Sequence, residues 1–379
     1  MVKLAVERSV PYIRHVADQL AEVTYLDKEE FTNENLKRHG FEALIIRSIN
    51  RCTAELLQGT AVEFIATATA GYDHIDTQYC REHNIYWTNS PGCNALAVAQ
   101  YVMCSLSRLS MRDGFSLRSK RLGIVGVGNV GKQVKRLALA MGMEVMLCDP
   151  PRAEQEGDSV EDFRDLDTLA SQCDIISFHV PLEKGGKYPT YHMIGKRFFE
   201  SCAKQPIVIN ACRGAVGDTP TIFDAKRNRV ITNLIVDCWE GEPNISRELL
   251  RVADIATPHI AGFSSDGKAN GARMCMDAFC KYFSIDPGDK LRDITPEPPL
   301  SPRIDMSMAT GFRIERALLY TFDPVPTDRA LRSSYLTFEE LRKAYKYPRE
   351  MSAYQVINAL PQDKEILKNL DFNIIENEK

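Results

Sequence analysis

The chain has 379 residues, 44% of them apolar, which is enough for two or three domains with cores of their own. Its 47 basic and 51 acidic side chains leave a net charge of −4 with no long basic run, so nothing points to nucleic acid as a partner. No run of about 18 uncharged apolar residues occurs, and the N-terminus MVKLAVERSV lacks a signal peptide's apolar segment, so neither export nor membrane insertion is expected. The 11 cysteines are scattered without a Cys-x-x-Cys pair, and several, such as Cys148 and Cys238, fall inside apolar runs. They read as reduced, packed thiols of a cytoplasmic protein rather than a disulfide framework or a metal site.

Strand-like and helix-like segments alternate, which predicts α/β layers. Residues 4–6, 43–46, 62–66 and 85–87 read as strands of a first unit, and residues 95–109, free of proline, as a long helix. The segment RLGIVGVGNVGKQVKRLALAMGMEVMLCD, residues 121–149, then reads as a strand, a glycine turn, a helix and a second strand ending in an acid. Gly126, Gly128 and Gly131 give the G-x-G-x-x-G spacing of a dinucleotide site: one glycine for the tight turn, one for close approach of a pyrophosphate, one for helix packing. Val130, Val134, Leu137, Ala138 and Met141 recur at helical spacing, and Gly142 stops the helix. Asp149, 21 residues beyond Gly128, is placed to accept hydrogen bonds from ribose hydroxyls, which favours NAD over NADP. Arg152, just beyond it, is the one residue that weighs toward a 2′-phosphate.

Further strands are expected at 175–178, 207–210, 234–236 and 255–256, and a helical pattern at 262–283. ITPEPPLSPR, residues 294–303, reads as a linker, followed by a charged tail with polar helices near 337–347 and 363–370.

Ligands of open α/β sheets bind beyond the carboxyl ends of the strands. Three residues of suitable chemistry fall there on separate loops: Arg213 after IVINAC, Glu242 in DCWEGEP and His259 after DIATP. Oxidation of a 2-hydroxy acid needs a base for the hydroxyl proton, and a histidine titrates in the right range. Glu242 would fix the imidazole's tautomer and favour its charged form, and Arg213 would hold the substrate carboxylate and polarise the C2 oxygen. Read singly, a histidine before an Ile-Ala-Gly turn is more often structural. The joint spacing after a cofactor fingerprint reverses that weighting.

The segments GYDHID (71–76), SPGCNALAVAQYV (90–102), GVGNVG, INACRG (209–214), DCWEGEP (237–243) and PHIAG (258–262) together resemble the D-2-hydroxyacid dehydrogenases over about residues 40–285. The resemblance implies an α/β fold in which a Rossmann-type doubly wound nucleotide domain, residues 95–261, is inserted in a flavodoxin-like substrate domain of residues 1–94 and 262–285. A cleft between them would close on the substrate. It also implies the catalytic trio Arg213, Glu242 and His259, with NAD contacts at Gly126, Gly128, Asn129, Val130, Gly131, Asp149, Ser177, Ala211, Cys212, Asp237 and Gly262. Substrate contacts fall on Ser48, Thr69 and residue 263, where tyrosine is expected and this chain has Phe263. HIAGFSSDGKANG and RALRSSYLTFEELRKAY resemble a family branch with an added α+β dimerisation domain, here residues 286–379, implying a homodimer acting on a small phosphorylated hydroxy acid. Arg47, Arg213 and arginines of the tail or a partner subunit are candidates for its anionic groups. The competing readings are a dehydrogenase of another hydroxy acid and a NAD-sensing binding protein of the same fold. The second would need long disordered extensions and a peptide cleft, and the chain shows neither.

Overall fold

The computed structural model describes residues 1–157 and 162–375, so the last four residues of the expected dimerisation segment lie outside the described residues. It forms two units, residues 1–94 with 264–297, and residues 95–263 with 298–379.

In the first unit β1 (Lys3–Glu7), β2 (Glu22–Leu26), β3 (Ala43–Ile46), β4 (Phe64–Thr67) and β5 (Tyr86–Thr88) make a parallel sheet in the order β2-β1-β3-β4-β5. That is the flavodoxin-like order. Every residue of β3 and β4 is buried, as expected for central parallel strands covered on both faces. The sequence reading misses β2 because it is an edge strand, EVTYL, with one end exposed and no apolar run. The helix Ser265–Tyr282 lays Ala272, Met276 and Phe279 on Leu4, Val6 and Phe64. It begins after the 262–263 turn rather than at residue 262, capped by the Ser264 hydroxyl, which accepts the Gly267 N–H at 2.8 Å.

The second unit holds β6 (Arg121–Val125), β7 (Glu144–Cys148), β8 (Ile175–Phe178), β9 (Ile207–Asn210), β10 (Leu234–Val236) and β11 (Ile255–Ala256). They are all parallel, in the order β11-β10-β9-β8-β6-β7, and a single parallel bridge from Leu147 to Phe163 continues the sheet beyond β7. The chain therefore moves outward from β6 in one direction and returns to add β8 on the other side. This reversal is the switch point at which doubly wound sheets bind ligands.

The tail adds a three-stranded parallel sheet, β12 (Arg303–Asp305), β13 (Gln355–Ile357) and β14 (Asn373–Ile374), with helices Arg313–Thr321, Pro324–Ser333, Phe338–Ala344 and Pro361–Asn369. Residues 294–303 are less of a linker than their prolines suggest, since Ile294 is fully buried in the first unit and Arg303 opens β12. The tail's Ile304, Leu318, Met351, Val356 and Leu367 share one apolar core with Val102, Leu106, Leu109 and Leu137. This explains why the helix Ala95–Asp113 is buried on nearly every face, since it lies between the sheet's own helix Asn129–Ala140 and the tail helix Arg313–Thr321. Gln100 donates to the Thr321 hydroxyl at 2.7 Å, and the Asp328 carboxylate accepts the Ala256 N–H at 2.8 Å, occupying the open edge of β11.

Because Leu318 is completely buried in that shared core, Leu318→Ala should cost about 2–5 kcal/mol and lower the melting temperature of the nucleotide-binding half with it. A loss under about 1 kcal/mol in urea titration would mean that the tail is only loosely attached.

Candidate active site

At the carboxyl end of β10 the side chain of Asp237 is buried, 1% exposed, and it organises the next loop. One oxygen accepts the Thr257 hydroxyl at 2.6 Å and the Ile260 N–H at 2.8 Å, and the other accepts the Ala261 N–H at 2.9 Å. Burial pushes this carboxyl up from its ordinary range, against the opposing pull of His259 and these donors. The turn so held carries His259 at a φ of +54°, a left-handed conformation that costs a non-glycine residue on the order of 1–2 kcal/mol. The His259 N–H is satisfied by the carbonyls of Asp237, at 2.8 Å, and Thr257, at 3.1 Å.

The conformation aims the imidazole at Glu242. Nδ1 of His259 stands 2.5 Å from Oε1 of Glu242, whose Oε2 accepts the Trp239 N–H at 3.1 Å. Both side chains are about a quarter exposed. Burial alone would raise the Glu242 carboxyl, but the hydrogen bond and charge of His259, the Trp239 N–H and the charge of Arg342 outweigh it and hold it below the usual carboxylate range. Nε2 of His259 has no hydrogen-bond partner among the described residues.

Arg213 follows β9 and is exposed. Its Nη1 donates to the Cys212 carbonyl at 2.8 Å, and the Asn210 amide donates to the Arg213 carbonyl at 3.1 Å. Gly214 joins this loop to the Glu242 loop, because a Cβ there would lie 2.0 Å from the Trp239 carbonyl oxygen. Only a bare backbone permits that approach. Glu240, beside the contact, is braced by His192 at 2.6 Å and by the Thr219 N–H at 3.2 Å.

The glycine turn fits a pyrophosphate. Gly131 packs so closely that a Cβ would meet the Gly126 carbonyl oxygen at 2.1 Å, whereas the space at Gly128 is open. Gly128 and Asn129 are exposed, Val130 is half-buried, and the helix Asn129–Ala140 starts without a side-chain cap, which leaves its first N–H groups for an anion. Asp149, at the end of β7, accepts the Val127 N–H at 2.7 Å and the Arg152 N–H at 3.2 Å. A carboxylate has about four lone-pair sites, so it retains capacity for ribose hydroxyls. The Arg152 guanidinium is paired with Glu156 through two 2.8 Å bonds and donates to the Val127 carbonyl at 2.6 Å.

Ser177 is fully buried in β8 with its hydroxyl 2.9 Å from Nε2 of His179, Ala211 and Cys212 are each 8% exposed, and Gly262 is half-buried in the turn after His259. Phe263 packs its ring against Tyr347, centroids 5.6 Å apart. Ser48 and Thr69 belong to the first unit. Ser48 is exposed in the turn after β3, and the Thr69 hydroxyl, just past β4, donates to the Gly71 carbonyl at 2.8 Å. Arg47 there donates to the Ser9 hydroxyl at 2.9 Å.

Sequence reading misses what holds the trio. Trp239, 2% exposed, donates its indole N–H to the Thr257 carbonyl at 2.9 Å, and the Tyr101 hydroxyl lies 2.7 Å from that of Thr257. Polar partners separated by many residues leave no periodic trace. The bulky tryptophan beside Glu240 is the only local signal.

The packing at Gly214 makes a direct test. Gly214→Ala should destabilise the protein by about 3 kcal/mol and displace the Arg213 turn, seen as a lower urea midpoint and a raised substrate KM. Wild-type stability and KM together would show that the two loops do not depend on this contact.

Residues 98–261 match the NAD binding domain of the D-isomer specific 2-hydroxyacid dehydrogenases. Over 372 residues the chain is 56% identical to the erythronate-4-phosphate dehydrogenase of Porphyromonas gingivalis, covering 98% of this chain and 100% of that one. The erythronate-4-phosphate dehydrogenase of Escherichia coli is 36% identical over 377 residues, 99% of each chain. Among solved structures, NAD+-bound 3-phosphoglycerate dehydrogenase of Entamoeba histolytica superposes with a TM-score of 0.60 at 26% identity, over 75% of this chain and 95% of that one. With an α/β fold, a nucleotide-binding turn and near full-length identity to these enzymes, the chain belongs to the erythronate-4-phosphate dehydrogenases, an NAD-dependent branch of the D-2-hydroxyacid dehydrogenase family.

Proposed function

We propose that the chain oxidises 4-phospho-D-erythronate at C2 to 2-oxo-3-hydroxy-4-phosphobutanoate, on the route to pyridoxal 5′-phosphate. The 2.5 Å contact of His259 with Glu242 carries the chemistry. The choice of substrate is supported by identity to erythronate-4-phosphate dehydrogenases that runs through the tail as well as the catalytic loops.

His259 takes the C2 hydroxyl proton on Nε2, and Glu242 stabilises the imidazolium that results through Nδ1. Arg213 binds the substrate carboxylate with its two-pronged guanidinium and draws electron density from the C2 oxygen. The turn 126–131 and the helix start behind it hold the pyrophosphate of NAD, and Asp149 holds the adenosine ribose. When bound, NAD supplies the acceptor for the C2 hydride. We assign Ser48, Thr69 and Phe263 to the substrate and Asp237, Ala211 and Gly262 to the nicotinamide side, where Asp237 acts by shaping the turn. Because Arg152 is committed to Glu156, it is poorly placed to serve a 2′-phosphate. We further assign the tail to a homodimer interface. A cytoplasmic location fits the lack of any disulfide among the described residues, of which no helix is long and apolar enough to cross a membrane.

Turnover of 4-phosphoerythronate, 3-phosphoglycerate and D-lactate by the purified protein tests the reading, with 4-phosphoerythronate expected to be favoured. His259→Ala should lower kcat by roughly 10² to 10⁴ while NAD affinity changes little. In Glu242→Gln the imidazolium loses its stabilising charge, so the acidic limb of kcat/KM for oxidation moves to lower pH and the maximum falls. Arg213→Lys should weaken substrate binding and slow turnover together. Unchanged rates and the same pH limb in all three variants would transfer the trio to a structural role and favour a cofactor-sensing protein.

The cofactor preference rests on Asp149. The wild type should prefer NAD to NADP by at least about tenfold, and Asp149→Ala should narrow the ratio. Equal use of both by the wild type would contradict this.

A further inference from the structure

The tail helix Phe338–Ala344 is anchored by Phe338, 1% exposed, in the same core as Trp239 and Leu331. One turn further on, its Arg342 lies over the ring of Phe263, with the guanidinium carbon 5.5 Å from the ring centroid. Phe263 is four residues beyond His259, and the charge of Arg342 also reaches Glu242, helping to keep that carboxyl ionised. Yet the guanidinium is incompletely used. Its buried Nε has no hydrogen-bond partner among the described residues, and its ion contact is with Glu339 on its own helix, at 3.8 Å and in poor hydrogen-bonding range. The side chain is 30% exposed, so part of it faces open space. Tyr345 and Tyr347 complete an aromatic group with Phe263, at 6.5 and 5.6 Å.

We propose that Arg342 is the tail's contribution to the substrate site, where its free guanidinium donors bind the phosphate group of the hydroxy acid. The proposal rests on the reading of the site as a phosphorylated hydroxy-acid dehydrogenase. The division of labour follows from position. Arg213, on the nucleotide-domain loop after β9, faces the reacting end of the molecule. Arg342 is held on an aromatic face beside the His259 turn and suits an anion several bonds away from it. An arginine stacked on an aromatic ring loses little freedom when it binds a tetrahedral oxyanion through a pair of N–H groups. The part-exposed end of the guanidinium, whose Nη1 stands 3.8 Å from Glu339, is what an anion can reach. On this account the tail does more than pair subunits: it selects for phosphorylated substrates.

The test compares 4-phospho-D-erythronate with unphosphorylated D-erythronate, and uses inorganic phosphate as a competitor. In Arg342→Met, which keeps the length of the stem, the ratio of kcat/KM for the phosphorylated over the unphosphorylated acid should fall about 10- to 100-fold, with weaker inhibition by phosphate. Arg342→Lys should recover part of the ratio. If Arg342 acts only on Glu242, both substrates lose activity equally, the pH limb moves and phosphate inhibition is unchanged; that result overturns the proposal. Failure of the substrate assignment looks different. The wild type would then fail to oxidise 4-phosphoerythronate, while phosphate protection of the NAD-loaded protein against thermal unfolding, present in the wild type and reduced in Arg342→Met, would still report the anion site. Equal protection of the two proteins would overturn it.

Discussion

A buried carboxylate sets the geometry of this site. Asp237 is withdrawn from water, and its oxygens are committed to Thr257, Ile260 and Ala261, all in the loop after the next strand. These bonds offset the left-handed backbone of His259, and that backbone directs the imidazole toward Glu242. Deprived of these bonds, the loop would relax to ordinary dihedrals and the pair would separate. The acid that looks like a cofactor ligand in the sequence is therefore first the organiser of a turn. Its cost of burial is offset by the three hydrogen bonds that its oxygens accept.

Strand order then determines what can meet. Because the sheet is parallel, the loops after β9, β10 and β11 emerge at one end, and Gly214 allows two of them to touch through backbone alone. The glycine turn after β6 opens at the same end of the sheet, next to the switch point between β6 and β8. The glycine turn and the loops that carry Arg213, Glu242 and His259 are thus brought to one end of the sheet by topology, with side chains needed only for the final orientation.

Much of this was legible in the residues. Four of the strands of the second unit, 175–178, 207–210, 234–236 and 255–256, coincide with the apolar runs because parallel strands covered on both faces are buried along their whole length, even β11 at the edge. The edge strand β2 and the tail strands are not legible in this way. They are two to five residues long and partly exposed, and they owe their existence to pairing with segments distant in sequence. The fingerprint glycines and the Arg213, Glu242 and His259 positions follow from local spacing. By contrast Arg342 lies on a short charged helix whose pattern says only that it is a surface helix, and its place over Phe263 depends on packing some 80 residues away in the chain. Phe263, where the resemblance implies a tyrosine, is read directly from the sequence. The arginine and two tyrosines that gather round its ring are not.

In the proposed reaction the His259 and Glu242 pair removes a proton while the C2 hydride passes to NAD. Incubating the purified protein with 4-phospho-D-erythronate deuterated at C2 and weighing the nicotinamide cofactor by mass spectrometry tests that step whether or not the cofactor leaves between turnovers. Reduced NAD carrying one deuterium is the predicted result, formed roughly 10²- to 10⁴-fold more slowly by His259→Ala at the same NAD occupancy. Reduced cofactor without label, or no reduction by a wild-type protein that binds NAD, would contradict it.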